Sequence, residues 1–209
     1  MTVPGATPIL RRKFGYTWAA EWSPDGSKVL FSSNVEGFAQ IYVVDLDGTS
    51  PQPLTEPTAN SFFASWSPDG RRIAFTSDRS GEGDNEIFVM NSDGSAAQQI
   101  TNNAFDDAAP SWSPDGRLIA YHSYAQGVMN IYLYDLSSRQ SRPLTKESLP
   151  LRFPHWTPDG RYVLATQEVV VDAQFDAVVI DAGTGQIVQR IPNAQWLRAY
   201  LSQGRPSSK

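Results

Sequence analysis

Four copies of one pentapeptide stand in register along the chain: Trp22-Ser23-Pro24-Asp25-Gly26, Trp66-Ser67-Pro68-Asp69-Gly70, Trp112-Ser113-Pro114-Asp115-Gly116 and Trp156-Thr157-Pro158-Asp159-Gly160. Their spacings are 44, 46 and 44 residues. A period of that length means one supersecondary unit used four times, which constrains the fold more than any other feature. Seven residues after each Trp begins an apolar triplet: Val29-Leu30-Phe31, Ile73-Ala74-Phe75, Ile119-Ala120-Tyr121 and Val163-Leu164-Ala165. After a variable loop a second triplet follows: Ile41-Tyr42-Val43, Ile87-Phe88-Val89, Ile131-Tyr132-Leu133 and Ala177-Val178-Val179. Turn residues come next, and the unit closes on Leu54-Thr55, Ile100-Thr101, Leu144-Thr145 or Ile191. Each unit therefore reads as four short strands, a to d, joined by tight turns.

Four-stranded units repeated every ~40–50 residues are the blades of a β-propeller, because one small twisted sheet cannot bury both faces until neighbours stack on it. The predicted fold is all-β, a propeller of four blades at approximately residues 14–55, 60–101, 106–145 and 150–191, with the repeat region filling 1–191. Residues 192–209 break the pattern. There Trp196 and Tyr200 stand four apart with Leu197 and Leu201 alongside, behind Asn193 and ahead of Gly204, which predicts a short C-terminal helix that packs on the ring or over a blade edge, or docks on a partner or another domain.

The pentapeptide has a local physical reading. Pro supplies the fixed φ of the second turn position, Ser bonds the turn backbone, and Gly takes the left-handed conformation that a Cβ resists. The Trp before it sets a large flat apolar body at the end of the innermost strand, where it packs on the neighbouring unit. The motif is thus a turn with a packing wedge, and none of its residues belongs to the expected functional site.

Composition narrows the function classes. The chain has no cysteine, which removes disulfides, a thiolate nucleophile and Cys-ligated zinc. A formal charge of −5 argues against a sequence-independent hold on nucleic acid or anionic lipid. No stretch approaches the ~20 apolar residues of a spanning helix, so no membrane insertion is expected. Met1 to Phe14 lacks the apolar region of a secretory signal, so a soluble, cytoplasmic chain is expected, or a periplasmic one if it is the processed piece of a longer precursor.

The run from Trp66 to Thr101 joins Trp-Ser-Pro-Asp-Gly, Ile-Ala-Phe, a Ser-Asp-Arg-Ser-Gly loop, Ile-Phe-Val, Ser-Asp-Gly and a closing Ile-Thr. In this it resembles the TolB-type, WD-like propeller repeat, over roughly residues 8 to 191. The resemblance implies the fold. For function it implies only a range: blades of this type occur in periplasmic adaptor proteins, in the gating domains of prolyl-oligopeptidase-like hydrolases and in metal-dependent sugar-acid lyases. TolB-type proteins resemble a six-bladed ring behind a separate N-terminal domain, whereas only four blades are visible here. Four blades close a small ring, or a second copy completes it as a homodimer, or the chain is part of a larger one.

In a propeller the d-to-a and b-to-c loops gather on one face around the central channel, and surface loops carry binding more often than blades do. The residues expected to bind a partner there are Arg11, Arg12, Phe62, Phe63, Phe105, Asp106, Asp107, Arg152 and Phe153. The charges steer approach and the aromatics anchor. No catalytic residue is assigned, since there is no Gly-x-Ser-x-Gly elbow, no phosphate-cradling glycine loop and no Cys nucleophile. No metal site is assigned either: His122 and His155 lack ligand spacing, and the acidic loop residues lack that of an EF-hand. No cofactor is expected. The leading reading is a non-catalytic scaffold that binds a protein or peptide through its loop face; the alternatives are the gating domain of a hydrolase whose catalytic domain lies elsewhere, or a lyase.

Overall fold

The computed structural model describes residues 16–46, 51–169 and 174–192. Arg11, Arg12 and the predicted C-terminal helix lie outside the described residues. Four antiparallel four-stranded sheets follow one another along the chain. Blade 1 comprises β1 (Thr17–Trp22), β2 (Lys28–Glu36), β3 (Phe38–Asp45) and β4 (Gln52–Pro53), and blade 2 comprises β5 (Ser61–Trp66), β6 (Arg72–Ser77), β7 (Glu86–Asn91) and β8 (Gln98–Gln99). Blade 3 comprises β9 (Asp107–Trp112), β10 (Leu118–Ser123), β11 (Asn130–Asp135) and β12 (Gln140–Pro143). Blade 4 comprises β13 (Leu151–Trp156), β14 (Tyr162–Val169), β15 (Gln174–Asp181) and β16 (Ile187–Ile191). Within each sheet spatial order equals chain order, so every blade is a simple meander.

The apolar triplets are continuous rather than alternating because the middle strands are covered on both faces, as a short buried run requires. Ile73, Ala74 and Phe75 are all fully buried. The third position of each first triplet pairs across to the middle of the second in blades 1 to 3, giving Phe31 on Tyr42, Phe75 on Phe88 and Tyr121 on Tyr132. Their ring centroids lie 5.5, 5.6 and 5.8 Å apart, within range for favourable aromatic pairs.

The a–b turn works as its sequence implies. Gly26, Gly70, Gly116 and Gly160 take φ of +70°, +68°, +70° and +69°. In blade 2 the Gly70 amide donates to Ser67 O at 2.8 Å. The Ser67 hydroxyl donates to Asp69 at 2.6 Å and accepts from the Arg72 amide at 2.9 Å, closing the loop with its side chain. The turns also stack: Pro24, Pro68 and Pro114 sit 3.8 Å from where a Cβ on Gly70, Gly116 and Gly160 of the next blade would lie.

The closing Thr latches the outer strand. Thr55, Thr101 and Thr145 each accept, through the hydroxyl, the first amide of the second triplet, from Ile41 at 3.1 Å, Ile87 at 2.8 Å and Ile131 at 3.0 Å. Thr101 then donates to Glu86 and Thr145 to Asn130, so in blades 2 and 3 the end of the outer strand is tied to the start of strand c.

Among the described residues the extended seams join successive blades: β5 packs on β1 and β2, β9 on β5 and β6, β13 on β9 and β10. The Trp wedges fill these seams, leaving Trp66, Trp112 and Trp156 only 6%, 5% and 7% exposed. Trp22, in the first of the described blades, is 61% exposed. No strand of blade 4 packs on blade 1 as the consecutive blades pack, so the described residues form an open arc.

Candidate binding face

The innermost strands line the centre of the arc, and each carries one left-handed residue three positions before its Trp. Ala19, Phe63, Ala109 and Phe153 take φ of +53°, +52°, +54° and +53°. The pairing to strand b slips at the same place, between Phe62 and Ser65 in blade 2 and between Arg152 and His155 in blade 4, so each is the site of a β-bulge. A residue with a Cβ resists this conformation by about 1–2 kcal/mol, and nothing in the sequence marks it, because no Gly stands there. Neighbouring blades hold it in place. The Ala109 amide donates to Thr76 Oγ1 at 3.0 Å and the Phe153 amide to His122 Nδ1 at 3.3 Å. Burial, with the nearby Arg152 charge, pushes His122 down to about 3, so the imidazole is neutral and its Nδ1 is occupied as an acceptor.

In blades 2 and 4 the bulge presents a Phe, and the rings meet. Phe62 and Phe63 stand 5.1 Å apart, Phe63 and Phe153 5.5 Å, and Phe153 and His122 5.4 Å, all edge to face. One aromatic cluster therefore spans blades 2, 3 and 4, with its three Phe rings half-buried.

The d-to-a and b-to-c loops do gather together. Asp78 of the blade 2 b–c loop accepts from the Asn60 amide at 2.8 Å and its side-chain Nδ2 at 2.7 Å. Asp106 accepts in the same way from Asn85, at 3.0 and 2.9 Å. Asp106 remains exposed, whereas Asp107 is fully buried, its carboxylate receiving Asn103 Nδ2 at 2.8 Å. Burial raises Asp107 to about 6, assisted by the charge of Glu86. Asp107 therefore belongs to the interior and drops out of the contact set. Phe105 is 40% exposed, its amide fixed to Asn103 Oδ1 at 2.9 Å. Arg152 is half-buried, 3.8 Å from Glu168.

Tyr124 was not among the expected residues. Its amide donates to Asp106 O at 3.2 Å, and its ring is 47% exposed. An aromatic at the exit of strand b, in the Tyr124-Ala125-Gln126-Gly127 loop, was the available signal.

The arrangement offers exposed and half-buried aromatic surface with isolated charges at its rim. Among the described residues no three His, Asp or Glu side chains gather as metal ligands, and no helix is long and apolar enough to cross a membrane.

Comparison with known proteins bears on the fold directly. The family described as the TolB beta propeller domain matches residues 5–195. No curated protein matches the chain at a significant level. Among solved structures, TolB from Acinetobacter baumannii aligns with a TM-score of 0.70 at 23% identity, covering 82% of this chain and 42% of its own. A TolB described from Agrobacterium tumefaciens aligns with a TM-score of 0.75 at 25% identity, covering 83% of this chain and 65% of its own. A puromycin-hydrolyzing peptidase of Mycobacterium tuberculosis aligns with a TM-score of 0.67 at 14% identity, covering 86% of this chain but 29% of its own. The chain thus spans less than two thirds of the length of each of these proteins, and the likeness to the peptidase is one of fold alone.

Proposed function

The chain belongs to the TolB beta propeller domain family, and from that premise we propose that it is a non-catalytic scaffold that captures a protein or peptide segment on the loop face over its aromatic cluster. The observation that carries this reading is the continuous aromatic surface itself. Phe62, Phe63 and Phe153 form a half-buried floor, while Phe105 and Tyr124 stand at the rim beside Asp106. Aromatics concentrated at a polar-rimmed centre are the usual source of interface energy, and rim charges such as Asp106 and Arg152 act mainly on approach. Arg11 and Arg12, which precede blade 1 in the sequence, belong to the proposed charge set.

The fold supplies a clean test. Two of its four bulges carry Ala rather than Phe, so Phe63→Ala and Phe153→Ala adopt a residue the same backbone already accepts at Ala19 and Ala109. Random peptides displayed on phage are selected on the immobilised protein, then tested on Phe63→Ala, Phe153→Ala and Phe105→Ala. The expected result is enrichment on the wild type, lost on the variants while circular dichroism stays unchanged. Equal recovery on all four proteins, or no enrichment on the wild type, sinks the reading.

A further inference from the structure

We propose that a second copy of this chain seats its blade 1 on the open face of blade 4, through the same contacts that join blades within one chain. The three internal seams define that seat. In each, the Trp of the following blade shares a buried cluster with the strand b and c residues of the preceding one: Trp66 with Leu30 and Ile41, Trp112 with Ala74, Ile87 and Val89, Trp156 with Ala120, Ile131 and Leu133. The Pro of the preceding turn lies against the Gly of the following one. In two of the seams the side chain just before the preceding Trp accepts the following Trp amide, Glu21 from Trp66 at 3.2 Å and Ser111 from Trp156 at 3.4 Å.

Both halves of this seat stand open at the ends of the arc. On blade 1, Trp22 at the end of β1 is exposed, Tyr16 before its start is exposed, and a Cβ built on Gly26 would meet nothing within 4 Å. On blade 4, Leu164 is 38% exposed, although its counterparts Leu30, Ala74 and Ala120 are fully buried. His155, the counterpart of Glu21 and Ser111, pairs with Leu164 in the sheet and is exposed, with no hydrogen bond to another blade among the described residues. Val188 and Ile191 extend the apolar surface along β16. Exposed apolar surface of this kind marks an interaction site.

The two faces complement each other rather than themselves, a protruding wedge on one and a flat aliphatic floor on the other. Association is therefore head to tail. Two copies related by a two-fold axis, each giving blade 1 to the other's blade 4, close a ring of eight blades, inside the range of known propellers. The Trp cluster and the Pro–Gly approach repeat chemistry the chain already uses three times, and the Trp-amide contact chemistry it uses twice.

Sedimentation of the 209-residue protein over a wide range of concentration should give twice the chain mass of 23.1 kDa. Trp22→Ser and Leu164→Asp, both at exposed positions, should each leave a folded monomer. Mixing the two variants should restore a pair, because one seat then joins the intact Trp22 of one chain to the intact Leu164 of the other. Since the chain lacks cysteine, Trp22→Cys and Leu164→Cys proteins can also be mixed and oxidised, and the mixed disulfide should dominate over either like pair. A wild-type monomer at every concentration overturns the proposal, whether the faces are then covered by the chain's own ends or by further blades. So does association that survives either variant, is not rescued by mixing, or yields the Trp22→Cys like pair.

Discussion

Replacing Trp112 with Ala should cost the fold about 3–5 kcal/mol, the range for truncating a large buried aromatic. Trp112 is 5% exposed between blades 2 and 3, and the Arg72 guanidinium lies 4.7 Å from its ring centroid. Truncation opens a cavity in the seam and leaves that cation without its aromatic face. Trp22 stands in the same pentapeptide but is 61% exposed. Scaling the cost by the buried share, 39% for Trp22 against 95% for Trp112, leaves about 1–2 kcal/mol for Trp22→Ala. For a chain of this length each kcal/mol moves the melting temperature by roughly 2–4 °C, so Tm should fall about two to three times as far for Trp112→Ala as for Trp22→Ala. Far-UV circular dichroism is the proper probe, since fluorescence would follow the deleted ring. Measurement at low protein concentration keeps association out of the comparison. Equal shifts in the two variants would refute the account of Trp as an inter-blade wedge.

Two further outcomes follow from the described geometry. Asp107 holds its proton in the folded protein up to about pH 6, whereas an unfolded Asp releases it near 3.8, so the stabilisation present below the lower value is lost as pH rises through the upper one. The loss is about 3 kcal/mol at most, and urea titrations at pH 4 and pH 8 should show a smaller difference in Asp107→Asn than in the wild type. Glu21, pushed up to about 7 by burial, adds a slope of the same sign to both proteins, so an unchanged difference would reject the buried acid at Asp107 as its source. Gly185→Ala should destabilise more than Gly127→Ala, although both positions have φ of +75°. A Cβ at Gly185 would lie 1.8 Å from Leu144 O, while one at Gly127 meets nothing within 4 Å; matching thermal shifts would refute the clash.

The blades were legible in the sequence because their determinants are local. Pro, Asp and Gly set the a–b turn within five residues, and a triplet of apolar residues specifies a strand covered on both faces. What depends on neighbouring blades was not legible. Trp22 and Trp66 share one motif, yet Trp66 is a wedge buried in a seam and Trp22 is exposed, a difference set by packing between blades rather than by the motif. The bulge at Phe63 and Phe153 left no trace, since Phe and Ala occupy a conformation usually read from Gly. Asp106 and Asp107 are adjacent and chemically alike, but Asp106 ends the exposed loop while Asp107 opens β9, a strand buried at every position, where burial and the Glu86 charge change its acidity.

The Thr latch separates the part of a blade that can change length from the part that cannot. Five residues lie between Thr55 and Ser61, five between Thr101 and Asp107, and five between Thr145 and Leu151, so each connector to the next blade leaves from a fixed root and spans a constant distance. The b–c loops obey no such limit: one residue joins β2 to β3, eight join β6 to β7, and six join β10 to β11. Those loops end on strands already fastened by the latch. Insertions there lengthen the surface beside the aromatic floor without shifting any seam, which makes the b–c positions natural grafting sites for a new recognition loop and the d–a connectors poor ones.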